Sequence, residues 1–326
     1  MTPESPPLRA WLPAFLIAAI SWGSSFLFIS LALRGLEPSQ VAFGRVFVGA
    51  IVFVGVLLVT RRRPQLSRRD VGAIAVVALG LSVVPFVLIP MAQQHITSIL
   101  ASLLNATTPL WTALFVALLI PHERASRAQI AGLVIGASGI AVLLGAWNVR
   151  ELHIVGAALM LGATACYGIG STMSRVLLAR IKEGPTALSA VQIGLSALIL
   201  FPLAFVAPAP APGALSLSSA ALWGILLLGV LGTSFTYVLF WKVVKIAGAT
   251  TAASVTYVVP IVATILGILV LHEELLWYEP VGALVVLAGV WLAQRKPMIR
   301  SAADAVATIA EEPVYQQETT QGTAGA

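Results

Sequence analysis

The nine residues ASLLNATTP at Ala101–Pro109 recur 151 positions later as AASVTYVVP at Ala252–Pro260. Both copies are rich in small and hydroxyl residues, and both end in a proline. The apolar runs around them do not alternate with period two, as the strands of an outer-membrane barrel do. The pair therefore predicts a helical chain built from two related halves.

Further landmarks flank the two copies in the same order, at separations between 145 and 150 residues. Landmarks that keep their order at a nearly constant separation are hard to obtain by chance. We therefore predict one repeat over 1–147 and a second over 148–296. The matched landmarks are Ser21-Trp22-Gly23 with Cys166-Tyr167-Gly168, Pro38 and Arg45 with Pro185 and Gln192, His122-Glu123 with His272-Glu273, and Gly132 and Gly139 with Gly282 and Gly289.

The composition excludes a water-soluble domain. Hydrophobic residues make up 59% of the 326 residues, charged residues 10%, and the mean hydropathy is +0.96. Soluble proteins average about 45–50% apolar and about 25% charged residues. The net charge of +6 comes from bases between apolar runs, which favours contact with a membrane surface rather than with nucleic acid. The composition therefore predicts a multi-pass membrane protein.

The apolar runs predict an all-α membrane protein with ten spans, since about 20 mainly apolar residues cross the hydrocarbon layer. Each repeat would contain five spans, an odd number, so the second repeat would be inverted relative to the first. Inverted repeats are typical of secondary transporters, which expose a midplane site alternately to either side. The predicted spans are 11–33, 39–60, 71–90, 96–120, 127–146, 154–177, 186–207, 218–241, 248–271 and 279–294.

The basic residues give the predicted spans an orientation. Sixteen of the 19 lie in loops on one side, two (Arg34 and Arg150) lie on the other, and Arg45 falls within the second span. Because Lys and Arg concentrate in cytoplasmic loops, both termini are predicted in the cytoplasm. Residues 297–326 are predicted to form a disordered cytoplasmic tail, since the stretch from Ser301 has four acids and no base.

Over about residues 11–295 the sequence resembles the EamA-type members of the drug/metabolite transporter superfamily. One departure is Pro121, where the family usually has an apolar residue. The resemblance implies a ten-span carrier of the inner membrane, often an exporter of amino acids or related metabolites, and does not fix the substrate. The matching pieces are SWGSSF at 21–26, Pro38 with Arg45, the stretch up to Pro109, LIPHERAS at 119–126 and LVLHEEL at 269–275.

Arg45 is the strongest candidate for a substrate-binding residue. It lies about seven residues into its predicted span, or roughly 10 Å below the outer surface. A guanidinium suits the carboxylate of a substrate. Alternatively, Arg45 extends to the interface or fixes neighbouring helices through backbone carbonyls, and the neutral Gln192 at the equivalent position is compatible with packing.

Asn105 is a second candidate, in an unusually polar fourth span. Helix packing explains most hydroxyl side chains in such a span, but an amide is not fully satisfied by its own helix. Pro109 and Pro260 each remove a backbone hydrogen bond within a span. They are hinge candidates, with a static kink as the alternative.

Trp22, Tyr167 and Tyr237 lie within predicted spans, and Trp22 and Tyr167 occupy equivalent places in the two repeats. Aromatic rings with an N–H or O–H suit an amphipathic ligand, and packing is the alternative. We place all three in the lining of a cavity between the repeats, together with Asn105 and Tyr257, with Arg45 at its outer rim.

The predicted function is a secondary transporter that exports a small metabolite, an amino acid or a related compound, across the inner membrane by alternating access. The sequence has no Gly-Lys pair and therefore no Walker A loop, and it has no metal-ligand spacing. We expect no cofactor, metal, nucleic acid or enzymatic reaction; the expected partners are a small-molecule substrate and lipid. A channel or structural membrane protein, and an enzyme acting on lipid, are the rivals. Gly132 and Gly136 form a GxxxG pair that suits either a homodimer face or an internal contact.

Overall fold

A computed structural model describes residues 7–61, 63–120, 126–147, 153–206 and 218–294. Within these ranges the secondary structure is entirely helical, and no strand is present. The predicted tail at 297–326 lies outside the described residues.

Seven helices are long and apolar enough to cross a membrane, and three apolar helices are shorter. Large apolar side chains are widely exposed on them, as for Leu58 (72%) and Phe205 (70%). Such a surface suits lipid rather than water, so this is a multi-pass membrane protein. The helices are α1 (Leu8–Ala32), α2 (Pro38–Val59), α3 (Arg68–Gln93), α4 (Ser98–Leu119), α5 (Arg127–Leu143), α6 (Ile154–Leu177), α7 (Pro185–Val206), α8 (Ser219–Gly248), α9 (Val255–Leu271) and α10 (Tyr278–Ala293).

The boundaries follow the predicted spans closely except at the end of the eighth, which was predicted at residue 241, whereas α8 extends to Gly248. The ninth span was predicted to begin at residue 248. Residues 249–253 are helical and lie between the break at Gly248 and the start of α9 at Val255. Gly248 has a φ of +88°, a conformation that glycine adopts readily and that breaks the helix axis. A turn at Ser254 then precedes α9.

Two helices contain a π-helical segment at equivalent places, at Leu79–Val83 in α3 and Val230–Phe235 in α8. Such segments are rare and frequently occur at functional sites. α4 is interrupted at Ala106 and Thr107, just before Pro109. The N–H that proline lacks would have bonded the Asn105 carbonyl, and the Thr108 hydroxyl donates to that carbonyl instead, at 2.8 Å.

The loops define two ends of the helix bundle. End A contains residues 33–37, 94–97 and 272–277, and end B contains 63–67 and 178–184. At end B the Gln65 N–H donates to Glu183 Oε1 at 2.7 Å. At end A the Glu273 carboxylate accepts from the Ser98 and Ile99 N–H groups at 2.8 and 3.0 Å.

Glu273 therefore caps the start of α4. It also accepts from the Ser98 hydroxyl at 2.9 Å. The chain reaches this position because His272 adopts a left-handed conformation with φ 55° immediately after α9. A carboxylate at a helix N-terminus satisfies free N–H groups and complements the helix dipole.

α1 and α6 run in opposite directions. α1 runs towards end A, where Gln93 near the end of α3 donates to the Phe26 carbonyl at 3.0 Å. α6, its sequence counterpart, starts at end A, since Gly156 in its first turn lies against His95 and Ile96.

Each contact of α1 with a helix of the second repeat is matched by a contact of α6 with the equivalent helix of the first repeat. α1 packs on α9 as α6 packs on α4, and α1 packs on α8 as α6 packs on α3. Two further pairs, α2 with α7 and α5 with α10, join equivalent helices directly.

Glycines allow the closest of these approaches. A Cβ on Gly23 would lie 2.6 Å from Val262 Cβ, at the crossing of α1 and α9. A Cβ on Gly168 would lie 2.6 Å from Trp111 Cβ, at the equivalent crossing of α6 and α4. Gly23 and Gly168, which end the matched landmarks Ser21-Trp22-Gly23 and Cys166-Tyr167-Gly168, thus each lie at a close helix crossing between the halves.

The glycines of the GxxxG pair, Gly132 and Gly136, make contacts within the chain. A Cβ on Gly132 would lie 2.6 Å from the Gly289 carbonyl oxygen, and Gly289 in turn faces the Gly136 backbone. α5 and α10 therefore meet backbone to backbone, so this glycine pair gives no support to a homodimer.

Gly23→Ala is expected to destabilise the folded protein by about 1–3 kcal/mol, because the added methyl group overpacks the α1–α9 crossing. Thermal unfolding in detergent micelles measures the effect. Gly55→Ala is the matched control, since nothing lies within 4 Å of a Cβ at Gly55. Equal thermal shifts for both variants would contradict a tight crossing at Gly23.

Candidate functional site

A cavity of about 220 Å³ lies between α1, α2, α3, α4, α6, α8 and α9. Of the six predicted lining residues, it brings together Trp22, Arg45, Asn105, Tyr167 and Tyr237. The remaining lining residues are Ser25, Phe26, Ile29, Leu81, Phe86, Ile89, Thr108, Ser171, Thr256 and Val259.

Much of this lining consists of residue pairs separated by the repeat distance. Such pairs place the cavity where the two halves face each other, so that each half supplies one wall. The pairs are Trp22 with Tyr167 and Phe26 with Ser171, 145 residues apart, and Phe86 with Tyr237, Asn105 with Thr256 and Thr108 with Val259, 151 residues apart.

Arg45 is buried, with 7% of its surface exposed. Its Nε donates to Thr233 Oγ1 at 2.9 Å and its Nη2 donates to the Gly232 carbonyl at 3.1 Å, both in the π-helical segment of α8. The guanidinium carbon also lies 3.8 Å from the centre of the Phe86 ring, a cation–π arrangement. Arg45 thus does not extend to the interface but joins α2 to α8 and faces the cavity.

Gln192 makes the equivalent connection in the other half. Its Nε2 donates to Ser82 Oγ at 2.5 Å, and Ser82 belongs to the π-helical segment of α3. Each second helix of a repeat therefore sends a long polar side chain into the π-helical segment of the opposite repeat. This pairing explains why Gln192 matches Arg45, while only Arg45 brings a charge.

Arg45 is the only charged residue among the described residues that line the cavity. A guanidinium in low-dielectric surroundings attracts an anion strongly when no carboxylate neutralises it. The site is therefore suited to a ligand with an anionic group.

Asn105 ends the first segment of α4, directly before the interruption. Its side-chain oxygen Oδ1 is buried without a hydrogen-bond partner. An unpaired buried acceptor is costly, so this oxygen is ready to accept a hydrogen bond from a ligand.

The aromatic residues close the cavity between the two halves. The rings of Trp22 and Tyr237 meet edge to face with their centres 6.1 Å apart. Tyr257 was expected here as well, and that expectation is corrected: its hydroxyl donates to Gln294 Oε1 at 2.9 Å, away from the lining residues. The adjacent Thr256 lines the cavity instead, because neighbouring residues of a helix point about 100° apart.

The cavity differs in polarity towards its two ends. Towards end A its wall is mainly apolar, with the hydroxyl of Ser25 as the exception. Towards end B it has three hydroxyl groups, while Arg45 and Asn105 lie between the two parts. The apolar part consists of Phe26, Ile29, Phe86 and Ile89, and the hydroxyl part of Ser171, Tyr237 and Thr256.

Sequence reasoning missed the apolar part of the wall. An apolar residue within a span gives no signal of its own, since most such residues face lipid or the core. The repeat offered a signal, because Phe86 lies 151 residues before the predicted Tyr237.

Comparison with known proteins decides the family. Residues 9–145 and 154–294 each match the EamA-like transporter family. The chain belongs to this family. A solved structure described only as "Crystal structure of protein" superimposes with a TM-score of 0.59 at 19% identity, over 88% of this chain and 98% of its own, which shows a shared fold.

Relatives of this EamA-like transporter are themselves described as transporters. One is the "Uncharacterized transporter YoaV" of Bacillus subtilis, 23% identical over 83% of this chain and 92% of the relative. Another is the "Probable terminal-alkyne amino-acid exporter" of Streptantibioticus cattleyicolor, 30% identical over 88% of this chain and 94% of the relative. Family and relatives together indicate a membrane transporter rather than an enzyme.

A cysteine at position 105 tests the cavity of this EamA-like transporter. Asn105→Cys in a Cys166→Ser background is expected to react with a water-soluble thiol reagent, because the cavity admits small polar molecules. Mass spectrometry of the labelled protein gives the extent of reaction. Val46→Cys is the control, since Val46 is buried and not part of the lining. Equal inertness at both positions, with and without ligand, would remove Asn105 from the site.

Proposed function

We propose that this EamA-like transporter is a secondary carrier that exports a small metabolite, an amino acid or a related compound, by alternating access. The observation that supports this most directly is the cavity, which receives equivalent residues from both halves. Two related halves that rock about a shared site would expose it to each side in turn.

The helix arrangement supports ten spans in two inverted five-helix repeats. α1 and α6 run in opposite directions, the contacts of α1 with the second repeat match those of α6 with the first, and two family matches divide the chain near residue 150. The three shorter helices, α5, α9 and α10, would span by tilting less or by local thinning of the bilayer. The proposed units are 1–147, 148–296 and a tail at 297–326.

The loop charges support an inner-membrane orientation with both termini in the cytoplasm. End B contains far more bases than end A, where Arg34 lies. Since Lys and Arg favour the cytoplasmic side, end B would face the cytoplasm and end A the outside. The described bases towards end B are Arg9, Arg61, Arg63, Arg68, Arg69, Arg127, Arg175, Arg180, Lys182, Lys242 and Lys245.

An amino acid as cargo has two supports. Arg45 offers a cation for a carboxylate in an otherwise largely apolar cavity, and one relative is described as a probable amino-acid exporter. The volume of about 220 Å³ is below the range of about 300–1,000 Å³ typical of drug-sized ligands, so a small metabolite fits better than a drug.

Counterflow in proteoliposomes tests the carrier proposal. Vesicles loaded with an unlabelled neutral amino-acid mixture should take up the labelled amino acids transiently and saturably, because exchange through an alternating site couples inward to outward movement. Protein-free vesicles are the control. An ion conductance far above carrier turnover, or uptake that does not saturate, would instead indicate a channel.

Arg45→Gln tests the role of the guanidinium. We expect the half-saturation concentration of carboxylic acids to rise about 10–100-fold, as charge-assisted hydrogen bonds are lost, while matched amines are affected little. Competition against a labelled substrate measures both. Gln192→Leu is the control, because it breaks the equivalent helix connection without removing a charge. Equal losses for acids and amines in Arg45→Gln would indicate that Arg45 acts through packing alone.

A further inference from the structure

We propose that Asn105 is the specificity-determining residue whose side-chain oxygen accepts a hydrogen bond from the ammonium group of a zwitterionic substrate. The apolar side chain of this substrate points towards end A. This inference rests on the proposed carrier function and names the substrate class of its site: small α-amino acids with neutral, apolar side chains.

The first argument is the unused hydrogen-bonding capacity of a residue that lines the cavity. Asn105 Oδ1 is buried and has no partner, although its residue lines a cavity where Arg45 supplies a cation. A ligand with a carboxylate alone would neutralise Arg45 and leave Oδ1 unpaired. A ligand with both a carboxylate and an N–H donor satisfies both groups, so the site favours zwitterions over simple acids.

The backbone fixes Asn105 for this role. The main-chain carbonyl of Asn105 is occupied by the Thr108 hydroxyl at 2.8 Å, because Pro109 supplies no N–H for it. Only the side chain of Asn105 is therefore left to serve a ligand. Its repeat counterpart is Thr256, which has a shorter side chain and no amide.

The second argument is the polarity of the walls. The cavity is lined mainly by apolar side chains towards end A, where Ser25 is the one hydroxyl residue, and it has the hydroxyl groups of Ser171, Tyr237 and Thr256 towards end B. An amphipathic ligand whose charged groups lie at Arg45 and Asn105 gains free energy when its side chain contacts the apolar wall. The opposite orientation would place that side chain against Ser171 and Tyr237 and leave their hydroxyls without water.

The ligand charge adds a further restriction. No described acid lines the cavity, so nothing offsets a cationic side chain placed near Arg45. A second carboxylate would have to enter the apolar wall, where an unpaired charge is costly. Neutral side chains alone avoid both penalties.

Binding of three matched probes to the purified full-length protein tests the role of Asn105. The probes are L-leucine, 4-methylpentanoate (leucine without its amino group) and 3-methylbutylamine (leucine without its carboxylate). Isothermal titration gives each affinity. The intact protein is expected to bind leucine about tenfold or more tighter than either analogue, because each analogue leaves one buried group unpaired.

Asn105→Leu should lower the affinity for leucine about tenfold and change the affinity for 4-methylpentanoate by no more than about twofold, so that the preference for leucine disappears. Ser138→Ala is the matched control; it removes an exposed hydroxyl on α5 outside the cavity lining and should leave the preference unchanged. An equal loss of both ligands in Asn105→Leu would make Asn105 a structural residue and overturn the inference. So would an intact protein that does not distinguish leucine from 4-methylpentanoate.

A second variant tests the orientation without altering Asn105. Ile89→Ala enlarges the space at the apolar wall towards end A. It should therefore increase the affinity for L-phenylalanine relative to L-leucine severalfold, whereas Ser171→Ala should not. The reverse pattern would overturn the orientation. If 4-methylpentanoate undergoes counterflow but no amino acid binds, the carrier proposal stands and the zwitterion site is wrong. If no probe binds or exchanges, both fail.

Discussion

Helices surrounded by lipid gain no hydrophobic free energy by packing on one another, so close contact between their backbones must hold them together. This constraint explains where the glycines lie. Gly23 and Gly168 allow the crossings of α1 with α9 and of α6 with α4, while Gly80 and Gly170 bring α3 against α6 so closely that a Cβ on Gly80 would lie 2.7 Å from the Gly170 Cα. Each crossing positions an adjacent aromatic residue, Trp22 or Tyr167, in the cavity.

The polar groups obey a related rule, since a buried donor or acceptor needs a partner. Arg45 and Gln192 each donate to acceptors on a π-helical segment of the opposite half. The Thr108 hydroxyl takes the carbonyl that Pro109 leaves free. Among the described residues, three buried side-chain atoms have no partner, namely Gln93 Oε1, Asn105 Oδ1 and Trp111 Nε1. Of these three residues, Asn105 is the one that lines the cavity.

The sequence predicted the helical class and most helix boundaries, because hydropathy is set by the bilayer. The repeat spacing agrees with the two family matches, and the division into two inverted repeats stays a prediction. The sequence placed Trp22, Arg45, Asn105, Tyr167 and Tyr237 in one neighbourhood, since polar and aromatic groups within a span stand out. It could not place Tyr257, because which side of a helix faces the cavity depends on tertiary packing. It also did not foresee the cap that Glu273 forms on α4, because this contact joins residues 175 positions apart and requires the left-handed His272.

The difference between Arg45 and Gln192 has an energetic consequence. In a carrier made of two identical inverted halves, the inward-open and outward-open states would be related by a two-fold rotation and would have equal free energy. Here one half contributes a guanidinium where the other contributes an amide, and a charge is solvated differently as water enters from one side or the other. In the proposed carrier, the two open states would therefore differ in free energy even without substrate. The exchange of Arg45 for Gln192 would be one of the differences between the halves that make the empty protein favour one state.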